Sequence, residues 1–489
     1  MAFSQFGKVR RSNYSATIRP MEKTIAVGDG ARRAAGVAAV VVMMIATLWR
    51  AFGGPSSLSM VLVLALILLI IAEYRNIPSS LRTTSLILFS VGLLLLPFAK
   101  NPYDAVERGV FVAGLLLSQM ASVILLARCA LRSPAVHAVG RGLRARPPQR
   151  RYVSFTIASQ LFGSMLGLAG ANIMFVMASA PDEPSNPDKT AAIVAITRGF
   201  TAAGFWSPMF GNMAILLALY PSLHWANVFP MGVALAQVAI IVGVLMDRYG
   251  RHSMHTAATA APAAADPVPA HHVVRDALPL LSLMLGLLGT ILATSKVLTI
   301  SVTATIILIG PLVALLFNII MAPRGRRLTE GPRKLGEDAL NFSKLSSEAI
   351  IFAAAGCAGT IMADAFPAAW ILEVSGALGG NTFLGIAFLM LSIMFMGLAG
   401  IHPILLAVFM ASTITPEVLS LPPLTHFLAI LTGWGISACI NPYSLVSMTA
   451  GRYAGTGLYH ISLGKNWFYA LINVLVMALI LTLLSIALQ

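Results

Sequence analysis

The chain has 489 residues, of which 57% are hydrophobic and only 10% are charged, and its mean hydropathy is +0.83. Because soluble domains carry about 25% charged residues, these values exclude an ordinary soluble protein and predict an integral membrane protein. The net charge of +15 comes from Lys and Arg that lie mostly in the loops between apolar stretches. The positive-inside rule expects this pattern, so no nucleic-acid partner is predicted.

Eleven apolar stretches are predicted to cross the bilayer, since roughly 20 apolar residues span about 30 Å of hydrocarbon. In chain order they are residues 35–49, 57–73, 83–99, 108–131, 193–220, 226–246, 277–294, 297–321, 346–373, 424–450 and 467–488. The basic segment 1–34 that precedes them is predicted to be a cytoplasmic arm.

The basic loops also determine how the chain is threaded. If residues 153–180 formed a simple crossing, the arginine-flanked segment 251–276 would face the outside, against the positive-inside rule. We therefore predict that 153–180 enters and leaves the membrane on one side, because its glycines permit a sharp reversal. The same reasoning makes 382–412 a second hairpin that enters from the opposite face. The N-terminus is then cytoplasmic and the C-terminus outside.

The predicted chain has two halves, residues 35–250 and 277–489, joined by a cytoplasmic Ala/Pro-rich linker at 251–276. The order in each half is a hairpin, a broken helix and a closing helix. Because the hairpins enter from opposite faces, the halves are predicted to be inverted repeats. The expected fold class is an all-α polytopic membrane protein with about eleven transmembrane helices and two re-entrant hairpins.

The two hairpins share a Gly-Leu-Ala-Gly motif, at residues 167–170 and 397–400. Each motif is followed by a second break, in which a glycine precedes an asparagine by eight residues, at 204–212 and 433–441. The last glycine of the motif precedes this asparagine by 42 residues in the first half and by 41 in the second. Interrupted hydrophobic segments at corresponding places in two halves indicate the binding site of a transporter.

Polar side chains at these breaks are the candidate site residues, because broken helices expose backbone groups and helix ends that can bind ions. The predicted substrate-binding residues are Asn172, Ser207, Asn212, His402, Ser437, Asn441, Ser444 and Thr449. The predicted hairpin-tip residues are Gly167, Gly170, Gly397, Gly400 and Pro403. Asp364 and His402 are the candidates for ion coupling, since ionisable groups within a membrane are often functional. The structural alternatives are close helix packing for the glycines, interhelical hydrogen bonding for the asparagines, and local pairing for Asp364.

Hairpins that are each followed by a discontinuous helix resemble the ion transporter superfamily, with the architecture of divalent-anion/sodium symporters, over residues 150–250 and 345–489. Those symporters carry Ser-Asn-Thr at each hairpin tip, where this chain has Gly-Ala-Asn at 170–172 and Gly-Ile-His at 400–402. The resemblance implies elevator-like alternating access and a homodimer. The altered tips leave the solute and the coupling ion, Na⁺ or H⁺, undetermined.

Together these features predict a secondary active transporter of a small, anionic solute, coupled to Na⁺ or H⁺, in the bacterial inner membrane. No enzyme activity, metal site or cofactor is expected, apart from Na⁺ as a coupling ion. One alternative is a membrane-embedded glycan polymerase or ligase, which the short predicted outer loops disfavour. The other is a channel, which would not need two opposed hairpins.

Overall fold

The computed structural model describes residues 27–133, 148–178, 187–254, 270–378, 380–457 and 459–489, with 136, 139–140, 142–143 and 146. These residues form helices and connecting turns, which confirms the predicted all-α class. The helices are α1 (Val27–Ala51), α2 (Leu58–Glu73), α3 (Ser79–Leu95), α4 (Pro102–Leu131), α5 (Pro148–Leu166), α6 (Leu168–Ala178), α7 (Pro187–Ala203), α8 (Gly211–Leu219), α9 (Trp225–Met254), α10 (Ala270–Leu298), α11 (Val302–Met321), α12 (Arg327–Ala339), α13 (Ser346–Ala365), α14 (Ala368–Ala377), α15 (Thr382–Leu398), α16 (Pro403–Thr413), α17 (Pro423–Ile440), α18 (Leu445–Ala454) and α19 (Asn466–Leu488).

Nine helices within the described residues are long and apolar enough to cross a membrane, and α17 with α18 counts as one of them. The predicted crossing at 193–220 is interrupted, as expected, and appears as α7 and α8. The predicted crossing at 277–294 lies in α10, whose shorter apolar part is Leu285–Leu298. The chain is therefore a polytopic membrane protein.

Several helix ends differ from the sequence-based bounds, and α9 and α10 extend into the predicted linker at 251–276, to Met254 and from Ala270. α1 begins at Val27, so Arg32 and Arg33 belong to this helix rather than to the preceding arm. Residues 1–26 of the arm and 255–269 of the linker lie outside the described residues. α13 ends at Ala365 rather than at residue 373, because Pro367 lacks the backbone N–H that would continue the helix.

Three of the basic segments meet at one end of the bundle, which we call the basic end. Arg128, in the last turn of α4, donates to Asn341 Oδ1 at 2.6 Å. Arg33 Nε donates to the carbonyl of Leu340 at 3.1 Å. The start of α1, the end of α4 and the turn before α13 therefore share one membrane face, as the loop charges predict.

The first hairpin reverses at Gly167, whose φ of +55° lies in the left-handed region that favours glycine. A Cβ on Gly170 would lie 2.3 Å from the carbonyl oxygen of Phe162, so α6 folds back tightly against α5. At its far end, Met177 contacts Gly140, which lies eight residues before the start of α5. Residues 148–178 thus leave the bundle at the end where they enter.

The second hairpin reverses at Gly400, whose φ is +84°. Its two ends meet, because Gly385 near the start of α15 contacts Leu419 beyond the end of α16. Beside this contact, Ser375 Oγ donates to the carbonyl of Val418 at 2.8 Å. The chain from 382 to 419 therefore forms a closed hairpin.

The closing helix α19 lies between the open ends of the two hairpins, with one of them near each of its ends. At its start, Asn466 accepts a hydrogen bond from Arg198, which also contacts Tyr152 at the open end of the first hairpin. At its other end, Gln489 donates to the carbonyl of Ser420 at the open end of the second. Since α19 has 23 residues and rises about 1.5 Å per residue, the hairpins open toward opposite ends of a helix about 35 Å long.

Candidate functional site

The first break joins α7 to α8 and is held by side chains. Ser207 is fully buried, and its hydroxyl donates to the carbonyl of Ser164 in the first hairpin at 2.5 Å. Asn212 Nδ2 donates to the carbonyl of Gly204 at 3.2 Å, across the eight-residue interval seen in the sequence. Both predicted residues therefore lie in the break, where they satisfy carbonyls that an unbroken helix would have used.

Two side chains from other helices also donate hydrogen bonds to carbonyls of the first break. Gln119 of α4 donates to the carbonyl of Pro208 at 2.7 Å. Trp225, at the start of α9, donates its indole N–H to the carbonyl of Trp206 at 2.8 Å. Neither donor stands out in the sequence, because only the fold brings them to the break.

The second break joins α17 to α18 and is built from the predicted serine and asparagine. Asn441 Oδ1 accepts from the backbone N–H of Tyr443 at 2.8 Å. Ser444 accepts from the N–H of Ser447 at 3.2 Å, which caps α18, and donates to the carbonyl of Ala438 at 2.7 Å. Ser444 therefore bridges the break, since it satisfies groups of both half-helices.

The tip of the second hairpin lies on the second break. A Cβ on Gly397 would lie 2.3 Å from Ser437 Oγ and 3.4 Å from Asn441 Nδ2. A Cβ on Gly400 would lie 3.8 Å from the ring of Tyr443. The structure thus brings together four of the predicted residues, Gly397, Gly400, Ser437 and Asn441, and leaves room for a Cβ at 397 only if Ser437 Oγ moves.

The second half-helices begin just beyond this contact. α16 begins at Pro403, three residues after Gly400, and α18 begins at Leu445, two residues after Tyr443. His402 caps α16 by accepting the N–H of Ile404 on Nδ1 at 3.3 Å. Because Nδ1 is the acceptor, the neutral ring carries its proton on Nε2.

Asn172 has an unusual environment in the first hairpin. Asn172 as a whole is half-buried, but its side-chain oxygen Oδ1 is fully buried and has no hydrogen-bond partner. Thr449, by contrast, donates to the carbonyl of Leu445 within its own helix at 2.7 Å. Asn172 therefore offers an unused acceptor, whereas the Thr449 hydroxyl is engaged locally.

Asp364 lies away from these breaks, at the end of α13 opposite the basic end. Its carboxylate accepts the backbone N–H of Asn101 at 2.6 Å, just before α4 begins. This bond satisfies one of the free N–H groups at a helix start. The contact corresponds to the local pairing considered as the structural alternative, and the ion-coupling role stays a prediction.

The two broken helices cross within the bundle. A Cβ on Gly435 of α17 would lie 2.3 Å from the ring of Phe205 and 3.3 Å from the carbonyl of Thr201. A Cβ on Gly232 of α9 would likewise lie 2.3 Å from the carbonyl oxygen of Phe205. The first break is thus packed between α9 and α17, so a displacement of one broken helix acts on the other.

Sequence reasoning did not include Arg198 among the site residues. This arginine of α7 is 5% exposed, and its guanidinium lies over the ring of Tyr469, with Cζ 4.3 Å from the ring centroid. It donates to Tyr152 Oη at 3.0 Å, to Asn466 Oδ1 at 2.8 Å and to the carbonyl of Lys465 at 2.7 Å. Arg198 thereby joins the first hairpin, the first broken helix and the closing helix. The available signal was an arginine within an apolar helix.

Tyr220 and His426 form a second buried contact that sequence reasoning missed. Tyr220 Oη lies 2.5 Å from His426 Nδ1, and both residues are buried. Tyr220 follows α8 in the first half, and His426 lies in the first turn of α17 in the second. His426 Nε2 has no hydrogen-bond partner. This pair connects the broken helices at the end opposite Arg198.

The described residues contain no group of three or more His, Cys, Asp or Glu that could hold a metal ion. The three cysteines, Cys129, Cys357 and Cys439, are free thiols. The expectation that no cofactor or metal is needed remains a prediction. Any Na⁺ would have to bind through carbonyl, amide and hydroxyl oxygens.

Known proteins resemble this chain in structure rather than in sequence. No family model matches the chain, and no curated protein matches its sequence. Among solved structures, it is similar to the Alcanivorax borkumensis YdaH transporter, whose crystal structure is described as revealing an unusual topology. The two share 16% identity with a TM-score of 0.49, over 83% of this chain and 98% of that chain. Because the identity is low, the function is argued from the site itself.

Proposed function

We propose that the chain is a secondary active transporter of a small, anionic solute, coupled to Na⁺ or H⁺. The observation that supports this proposal is the contact of the second hairpin tip, at Gly397 and Gly400, with the second break, at Ser437–Tyr443. Backbone interruptions inside a membrane protein persist where they are buried or line a polar cavity. A hairpin resting on such a break is an arrangement that can open and close a solute site.

The anionic character of the solute is argued from the helix starts beside this contact. α16 and α18 both begin within three residues of the Gly400–Tyr443 contact. Each helix start carries partial positive charge, so an anion placed between them would be attracted by both. At α16 the attraction comes from the helix dipole, because Pro403 has no N–H and the N–H of Ile404 donates to His402 Nδ1. Asn441 adds an amide that can donate to the solute through Nδ2, since its Oδ1 is engaged by Tyr443.

Two coupling ions remain open in this proposal. A proton could exchange at His402, whose Nδ1 caps α16. Sodium would need oxygen ligands at the breaks, where the carbonyls of Gly204 and Ala438 already accept hydrogen bonds. The carbonyl of Gly204 accepts the bond from Asn212 and has a second lone pair for a ligand, whereas the carbonyl of Ala438 also accepts from Ser447 Oγ at 3.2 Å.

The proposed motion is elevator-like, with the hairpins and broken helices moving against the remaining helices, in a homodimer as the resemblance implies. The loop charges support a cytoplasmic N-terminus and an outside C-terminus, and the proposed location is the bacterial inner membrane. Labelling of single cysteines placed at residues 101 and 341 from either side of sealed vesicles tests the orientation. The two positions should react from opposite sides, with 341 facing the cytoplasm.

The first test is a thermal-shift screen of small anions with the purified chain, with Na⁺ present or absent and at several pH values. A solute that binds the folded state raises the unfolding temperature by mass action. Asn172→Ala and Asn441→Ala should lose this shift while remaining folded, and Asn227→Ala, in the first turn of α9, should keep it. If both site variants keep the shift, the site is wrong.

Counterflow of the labelled solute in proteoliposomes then tests transport. A gradient of Na⁺ or of H⁺, imposed one at a time, should drive accumulation above equilibrium. Folded protein that binds the solute but gives saturating flux with neither gradient would contradict coupling. Conductance without saturation would favour a channel instead.

A further inference from the structure

Three basic side chains surround one short turn at the basic end of the bundle. Arg33 lies near the start of α1, Arg128 in the last turn of α4, and Lys344 in the 3₁₀ turn Leu340–Leu345 before α13. Arg33 and Arg128 both hold this turn, through the carbonyl of Leu340 at 3.1 Å and Asn341 Oδ1 at 2.6 Å. The charges of Arg33 and Arg128 both act on Lys344. We call these three residues the basic cluster.

The basic cluster is not neutralised by a carboxylate. Among the described residues, none of its members lies within 4.0 Å of an acidic oxygen. Asp338 is buried and paired with Arg132, at 2.9 Å between Oδ2 and Nη1. Glu73 is 5% exposed and accepts from Asn76 at 2.5 Å. Asp338 is thus paired with another cation, Glu73 is bonded to a neutral amide, and Glu348 Oε2, in the first turn of α13, is buried without a hydrogen-bond partner. Since no carboxylate of the described residues forms an ion pair with the basic cluster, its three positive charges repel one another unless an anion joins them.

The basic cluster lies at the ends of apolar helices, at the level where lipid headgroups would meet the protein. Apolar α1 and α13 begin beside it and apolar α4 ends there. The preceding helix α12 is polar on one face, with Arg333 and Lys334, yet exposes 81% of Leu328. Such an amphipathic helix is typical of a membrane interface. Basic pockets between transmembrane helices at this depth bind anionic headgroups.

We propose that Arg33, Arg128 and Lys344 form a binding site for a phosphate group, carried by an anionic phospholipid at the basic end. Arg33 and Arg128 each use one N–H on the turn, so their remaining N–H groups can point to a phosphate. Lys344 is exposed and makes no protein hydrogen bond within the described residues, so its ammonium is available to the same ligand. This site is separate from the proposed solute site and does not depend on transport.

The test uses the purified full chain in neutral detergent, with the unfolding temperature as the readout. Phosphatidylglycerol, phosphatidylcholine and inorganic phosphate are titrated in separate arms. Phosphatidylglycerol should stabilise the wild-type chain, phosphatidylcholine should do so less, and the difference should shrink as salt rises. If inorganic phosphate alone gives the full shift, the ligand is a free anion and the lipid assignment is overturned.

Variants then locate the effect. Arg33→Gln combined with Lys344→Gln should weaken phosphatidylglycerol binding at least about tenfold, a loss of about 1.4 kcal/mol. Arg33→Lys, which keeps the charge, should bind nearly as well, and Arg333→Gln, at an exposed arginine paired with Glu330, should leave binding unchanged. Lys344→Gln alone removes only an exposed side chain and serves if the double variant does not fold. Unchanged phosphatidylglycerol binding in Lys344→Gln and in the double variant would overturn the proposal.

Discussion

Ser437 donates its hydroxyl to the carbonyl oxygen of Ile393 at 3.3 Å, which attaches the second broken helix to the first arm of the second hairpin. Ser207 makes the corresponding bond to the carbonyl of Ser164 in the first half. In the first half, Ser207 lies three residues after Gly204, and Ser164 lies three residues before the hairpin motif. In the second half, Ser437 lies four residues after Gly433, and Ile393 lies four residues before the motif. The paired motifs of the sequence are thus paired contacts in the structure.

The close approach of Gly397 to Ser437 predicts a non-additive pair of substitutions. Gly397→Ala would place a Cβ 2.3 Å from Ser437 Oγ but 3.7 Å from Ser437 Cβ. We expect Gly397→Ala to destabilise the chain by about 1–3 kcal/mol through overpacking. In a Ser437→Ala background the cost should fall, with an interaction energy on the order of 1 kcal/mol. Unfolding of the four proteins in one detergent measures the cycle, and additive costs would contradict the contact.

The reversal of the first hairpin predicts that Gly170→Ala is strongly destabilising. The added methyl would lie 2.3 Å from the backbone oxygen of Phe162, and a backbone atom cannot rotate away. We expect a cost of about 3 kcal/mol in unfolding experiments. Gly286→Ala is the matched control, since a Cβ there meets nothing within 4 Å. That control should be neutral or stabilise the helix by up to about 1 kcal/mol. Equal behaviour of the two variants would argue against the tight hairpin.

The geometry around Arg198 predicts that lysine cannot replace it. A lysine keeps the charge but lacks the planar fork that reaches Tyr152, Asn466 and the carbonyl of Lys465 together. Arg198→Lys should cost more than about 2 kcal/mol of unfolding free energy, whereas Tyr152→Phe should cost about 1 kcal/mol. Arg333→Lys, at a side chain 63% exposed, should change stability by less than about 0.5 kcal/mol. If Arg198→Lys proves as stable as Arg333→Lys, the contacts of Arg198 do not hold the first hairpin and the closing helix together as inferred.

The buried contact of Tyr220 with His426 predicts a specific cost for removing one hydroxyl. Tyr220→Phe removes the buried hydrogen-bond partner of His426 Nδ1. We expect a loss of about 1–3 kcal/mol, measured by thermal or chemical unfolding. Tyr103→Phe removes a hydroxyl from a residue that is 72% exposed and should have almost no effect. If water fills the space left by the hydroxyl, the cost will fall below this range.

The hydrogen bond between Asp364 and Asn101 separates two roles for the carboxylate. If Asp364 serves only to cap α4, Asp364→Asn should keep stability and coupling, because its amide oxygen can still accept the N–H. If Asp364 carries a coupling proton, Asp364→Asn should keep solute binding but lose accumulation driven by a pH gradient. Counterflow with and without the gradient distinguishes the outcomes, and Asp364→Ala shows the cost of removing the cap.

Sequence reasoning predicted the architecture well because it depends on local and bilayer-wide rules. Apolar length sets the crossings, basic loops share one face, and glycine allows the left-handed turns at Gly167 and Gly400. It was less accurate at helix ends, as at Val27 and Ala365, where the boundary depends on one or two residues.

The sequence by itself determined that the chain is a membrane protein, that it reverses at two glycine motifs, and that each reversal has a break at a matching distance. These properties follow from composition, charge and backbone freedom, which act residue by residue. Only the tertiary structure decided which groups meet. Asp364 caps a helix start 263 residues earlier, and Arg198 reaches a side chain 268 residues later. A buried polar group must find a hydrogen-bond partner, but the fold alone determines which one is near.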